Sequence, residues 1–106
     1  MSIEQLNLVD AIGIDNENGF IVLTISDHLE WNDAHHLLLQ KKINSYLDFI
    51  ESGELITNYP DAKDRNVLIK VVSMFKPSIK SKSFLEKINI ALKETDIYFC
   101  LEVLSS

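Results

Sequence analysis

A two-layer α+β sandwich is predicted by three features of this chain. An Asn18-Gly19 pair separates two short strand-like stretches, two long stretches carry helical apolar periodicity, and an apolar, strand-like run follows each of these. The order is ββαβαβ, which implies a four-stranded mixed sheet with both helices on one face. Residues 1–106 are expected to form a single α+β domain, because 106 residues with 46% hydrophobic side chains suffice for one core.

The first strand is expected over Leu6 to Asp15. Leu6, Leu8, Ile12 and Ile14 share one parity, and Asp10 is the exception to a half-buried pattern. Asp15 to Gly19 forms the connection, with Asn18-Gly19 tolerating positive φ. Phe20 to Ser26 is apolar on both parities, which places this second strand inside the sheet. From Asn32 to Ser52 the period becomes helical, with Leu39, Ile43, Tyr46, Leu47 and Ile50 on one stripe. Asn32 suits the N-cap, Asp33 the first turn, and Gly53 the left-handed residue that ends the helix.

Leu55 to Asn66 reads as a polar connection with a turn at Tyr59-Pro60-Asp61. Val67 to Phe75 is rich in β-branched residues and suits a central strand bounded by Pro77. A second amphipathic helix is expected over Ser81 to Asp96, burying Phe84, Leu85, Ile88, Ala91, Leu92 and Thr95. Ile97 to Leu104 closes the sheet as a fourth strand. With both helices on one face, the other face would expose Val22, Leu68, Val72, Met74, Tyr98 and Cys100, an apolar surface that calls for a partner or a second copy.

Charge narrows the function classes. Sixteen acids against ten bases leave a net charge of −6, and no basic patch exists to release counterions from a nucleic acid. The lysines at 76, 80 and 82 read as a solvated loop and helix start. A protein partner, if selected by charge, would be basic. The one cysteine, Cys100, lies in an apolar run and reads as a buried small hydrophobe. The first seven residues lack the basic and apolar regions of a signal peptide, and no run approaches the ~20 apolar residues of a membrane span. A cytoplasmic protein with no membrane contact is expected.

Residues 26 to 36 concentrate the candidate chemistry: all three histidines, three acids and the only tryptophan fall where a strand hands over to a helix. Asp27, His28, Glu30, His35 and His36 are competent metal ligands, and a site would be made from Asp27, His28 and one of the later histidines, His35 or His36. Their spacing is poor, because neighbouring residues on a helix diverge by about 100°, and the His-x-x-x-His pairing is absent. Asp27 with His28, or Asp33 with His36, would suit acid–base work if geometry brought them together. No nucleophile elbow, phosphate-cradling glycine loop or dinucleotide fingerprint accompanies them, so no cofactor is expected. A structural role explains the same residues economically: Ser26 or Asp27 caps the strand end, answered by Glu30, and Trp31 packs down onto the helix start.

Trp31, Phe49 and Tyr59 are candidate interaction residues, with Asp48, Glu51, Glu54, Asp61 and Asp64 close by in sequence. Three longer segments carry a resemblance: Val9 to Asp15, Val22 to Trp31 with its Ser-Asp-His-Leu-acid-Trp pattern, and Ile43 to Glu54, together with Tyr59 to Ala62 and the last strand. On these the chain resembles a family of small bacterial proteins, of about 100 residues, of unknown function. That resemblance implies a bacterial cytoplasmic origin and brings no activity, cofactor or catalytic residue with it. The expectation is a non-enzymatic interaction module that also self-associates as a homodimer. The alternative is a small metal-binding protein or hydrolase built on Asp27, His28, His35 and His36.

Overall fold

The computed structural model describes residues 2–6 and 9–104. Four strands form one sheet in the order β1-β2-β3-β4: β1 (Ala11–Ile14), β2 (Ile21–Asp27), β3 (Val67–Ser73) and β4 (Ile97–Val103). The first pair is antiparallel and the other two are parallel, with α1 (Asp33–Glu51) and α3 (Ile79–Lys93) in the two crossovers. This is the mixed sheet and ββαβαβ order that the residue pattern implies, with one short helix added.

Side-chain alternation decides the layers. Ile21, Leu23 and Ile25 of β2, Ile69 and Val71 of β3 and Ile97 of β4 are buried together with Leu39, Ile43 and Tyr46 of α1 and Leu85 and Leu92 of α3. The opposite parity, including Val22, Leu68, Val72 and Cys100, is half-buried, and Tyr98 is exposed. Lys70 and Glu102 pair at 2.8 Å on that outer face and make it less apolar than expected.

Helix boundaries follow the capping chemistry. Asn32 accepts a hydrogen bond from the His35 amide, and Gly53 adopts φ 88° just past the C-cap Ser52. Ser78 caps α3 through the Ser81 amide, which starts that helix two residues earlier than periodicity suggests. Ala91 and Thr95 of its expected buried stripe are exposed.

Two expectations need correction. The stretch after α1 is not a simple connection: α2 (Glu54–Asn58) and a 3-10 turn at Pro60–Ala62 bury Leu55 and Ala62. The first strand is also shorter than Leu6 to Asp15, and the two residues before Val9 lie outside the described residues. The strand starts late because Asp10 turns inward. Its Oδ1 meets the Lys42 Nζ at 2.9 Å with both side chains fully buried, and its Oδ2 accepts from the Ser26 amide.

Lys42 also donates to the Gln5 carbonyl, and its ammonium lies 5.5 Å from the Tyr46 ring centroid. The Tyr46 hydroxyl donates to the Thr24 carbonyl at 2.6 Å and accepts from the Asp10 amide at 2.9 Å. Burial pushes the Tyr46 phenol well above its ordinary value, so it remains a donor at any physiological pH. Lys42→Met strands the Asp10 carboxylate and is expected to cost about 3–5 kcal/mol in chemical denaturation. Adding Asp10→Asn, whose amide oxygen still accepts from Ser26, should recover part of that loss.

Candidate functional site

The carboxyl ends of β2 and β3 and the first turns of α1 and α3 meet at one end of the sheet, and the 26–36 segment lies there. Asp27, the last residue of β2, is buried, with Oδ1 accepting from the Leu29 amide and Oδ2 2.5 Å from the His35 Nε2. The His35 Nδ1 lies 3.0 Å from the Glu30 carbonyl. A carbonyl oxygen only accepts, so Nδ1 carries a hydrogen, and one further proton lies between Nε2 and Oδ2. The pair has zero net charge whichever of the two atoms holds that proton.

Trp31 closes this pair from outside. Its ring lies over the His35 imidazole with centroids 4.1 Å apart, and its Nε1–H donates to the Phe75 carbonyl at 2.9 Å. The buried Ser73 hydroxyl donates to the same carbonyl at 2.8 Å. Trp31 thus packs onto the helix start as expected, against His35 in the first turn, and ties α1 to the segment that leaves β3. The strand-end cap is Asp27, which accepts from the Leu29 amide, while the Glu30 main-chain carbonyl holds His35 rather than Asp27.

His36, one residue on, points toward α3. It stacks on Phe84 with centroids 4.4 Å apart and a 10° interplanar angle, and its Nε2 lies 2.7 Å from the Ser81 Oγ. The Ser78 hydroxyl donates to Ser81, whose own hydroxyl is placed to donate to a neutral His36 ring. Burial pulls the His36 pKa below its ordinary value, against a smaller opposing pull from Asp33; His35 and Lys80 push the same way as burial. On the rim Lys80 bonds Asp33 at 2.9 Å, holding the Asp33 carboxyl below its usual value.

The four candidate ligands therefore do not converge. Asp27 and His35 meet in the interior, His36 faces α3, and His28 is at the surface 3.0 Å from Glu4. Among the described residues no group of three or more His, Cys, Asp and Glu side chains is placed to hold a metal ion. The Ser81–His36 contact has the atoms of a nucleophile and base, yet Ser81 is only 1% exposed and its hydroxyl is committed between Ser78 and His36. Burial raises the half-buried Cys100 thiol, the wrong direction for a nucleophile. What this end of the sheet does chemically is to lock two helix starts to two strand ends.

The interaction candidates also separate. Trp31 is half-buried and hydrogen-bonded, and Phe49 is half-buried against the core. Tyr59 is 44% exposed and borders a cleft of about 390 Å³ with Ile12, Ile14, Ile21, Pro60 and Asp61. The residues that sequence reasoning missed are Lys42, Ser73, Ser78 and Ser81. Only Lys42 left a signal, since it stands three residues after Leu39 and four before Tyr46, within the apolar stripe.

Fold and site together define a small α+β domain with a mixed sheet, polar-locked helix starts and a cleft bordered by Tyr59. The chain belongs to DUF6572, a family of unknown function, whose model matches residues 1–105. No curated protein and no solved structure matches it.

Two outcomes test the lock. His35→Ala leaves the Asp27 carboxyl buried without its partner and removes the Trp31 stack, and should cost about 3–5 kcal/mol by urea denaturation. For His36, the unfolded chain takes up a proton at the ordinary value of 6.5 and the folded chain only at lower pH. Its contribution is therefore present above 6.5 and lost as pH falls below it. The melting-temperature advantage of wild type over His36→Gln should narrow between about pH 7.5 and about pH 5.

Proposed function

We propose that this protein is a non-enzymatic interaction module, binding a basic protein surface through the Tyr59 cleft and also associating with itself. The observation that carries the first part is an exposed tyrosine over an apolar cleft on an acidic segment. From Asp48 to Arg65 there are five acids (Asp48, Glu51, Glu54, Asp61, Asp64) and two bases (Lys63, Arg65), a local net charge of −3. Asp61 lines the cleft itself, and Arg65 is turned onto the Gly19 and Asp61 carbonyls. An aromatic anchor supplies contact energy while surrounding charge steers encounter and selects sign. Self-association is supported by the half-buried apolar residues Val22, Leu68 and Val72 on the uncovered sheet face and by Tyr98 exposed beside them.

The test is affinity capture with tagged wild type, Tyr59→Ala and Asp61→Lys, each checked for an unchanged circular dichroism spectrum. A protein held by wild type should be bound about 30-fold more weakly by Tyr59→Ala. It should also be released between about 0.05 and about 0.5 M salt. Equal retention by all three proteins would rule out the cleft.

A further inference from the structure

We infer that two copies of this chain pair antiparallel along β4, about a two-fold axis at Cys100, so that their sheets join into one of eight strands. The inference rests on the self-association proposed above but seats it on the β4 edge, so that Tyr98 of the uncovered face lies at the seam while Val22, Leu68 and Val72 stay outside it.

The sheet has two edges. β1 is four residues long, whereas β4 runs seven residues in unbroken register with β3. Monomeric proteins blunt an edge with Lys, Pro, a bulge or short length. β4 has none of these: six of its seven residues are apolar or aromatic, and its one charge, Glu102, is paired with Lys70 on the neighbouring strand. The Leu104 amide donates to the Ser73 carbonyl, so even-numbered residues turn their backbone groups toward β3. Ile97, Phe99, Leu101 and Val103 turn theirs outward, where no strand lies among the described residues.

Cys100 is the midpoint of Ile97–Val103, with three residues on each side. A two-fold axis there uses the full strand, and any other centre leaves part of it unpaired. It sets Ile97 opposite the partner's Val103 and Phe99 opposite the partner's Leu101 as hydrogen-bonded pairs. All four lie on the helix-covered face, so apolar meets apolar. On the outer face Tyr98 stands opposite the partner's Glu102, where a phenol can donate to a carboxylate and no like charges meet. The two Cys100 residues form a non-hydrogen-bonded pair, with Cα atoms about 4.5 Å apart, within the span of a disulfide.

The experiment uses the full chain. Sedimentation equilibrium reports the assembly, and diamide, which takes up the two thiol hydrogens, then links Cys100 to Cys100. A dimer that converts almost wholly to a Cys100-linked species, found by peptide mapping, supports the pairing. Cys100→Glu places an acid beside Lys70 within one chain but opposite its own copy across the axis. It should keep the fold and weaken the dimer at least about tenfold. Glu102→Cys in a Cys100→Ser background should link poorly, because those positions stand four residues, about 13 Å, apart across the axis. Linking as readily as wild type would overturn the register. A dimer that does not link through Cys100 overturns β4 pairing while self-association stands, and a monomer at about 0.5 mM overturns both.

Discussion

Lys42 sits in the middle of α1 with its ammonium fully buried, and the contacts that make this tolerable fix the rest of the layer. A buried cation is stable only when it is paired and its donors are used. Asp10 supplies the charge and the Gln5 carbonyl a further acceptor. Because Asp10 also accepts from Ser26, and Tyr46 bonds both Asp10 and Thr24, one network couples the helix, the second strand and the chain before the first.

Helical geometry then carries that constraint to the other end of α1. His35, Leu39, Lys42 and Tyr46 stand four, seven and eleven residues along, on one face. Once Lys42 is held by Asp10, which bonds Ser26, and Tyr46 by Thr24, His35 arrives two turns before Lys42 at Asp27, where β2 ends. An apolar stripe alone would tolerate a slip by one turn with little loss. Here a slip would leave Lys42, Asp10, His35 and Asp27 in apolar surroundings without partners, so these pairs select one register. The same placement turns His36 toward α3, where Ser81 and Phe84 receive it and set how the second helix begins.

Most of the fold was legible because alternation and helical stripes are local signals. Phe20 to Ser26, apolar on both parities, announced a strand inside the sheet, and Asn32 and Gly53 marked both ends of α1 by capping chemistry alone. The five residues of α2 are too few to show a period, so Leu55 and Ala62 passed as loop. Asp10 stood out as a break in its pattern, but its partner lies 32 residues away and no local rule joins the two. The histidine-rich segment misled in the opposite way. Nearness along the chain suggested one cluster, whereas adjacent helix positions point apart and send His35 and His36 to different neighbours. The serines at 73, 78 and 81 had no signal, since a hydroxyl becomes specific only through what it faces.

The two surfaces proposed for partners lie at opposite edges of the sheet. The Tyr59 cleft includes Ile12 and Ile14 of β1, while the proposed self-pairing uses β4. Joining two copies along β4 leaves both β1 strands at the far ends of the eight-stranded sheet, so neither cleft is covered by the pairing. A dimer built this way presents two acidic, tyrosine-bordered clefts on one rigid scaffold. A basic partner that is itself repeated or dimeric would then bind through both, the second contact forming at high effective concentration after the first. In that arrangement modest affinity at each cleft would be raised by pairing, so disrupting β4 would weaken capture of such a partner without touching Tyr59.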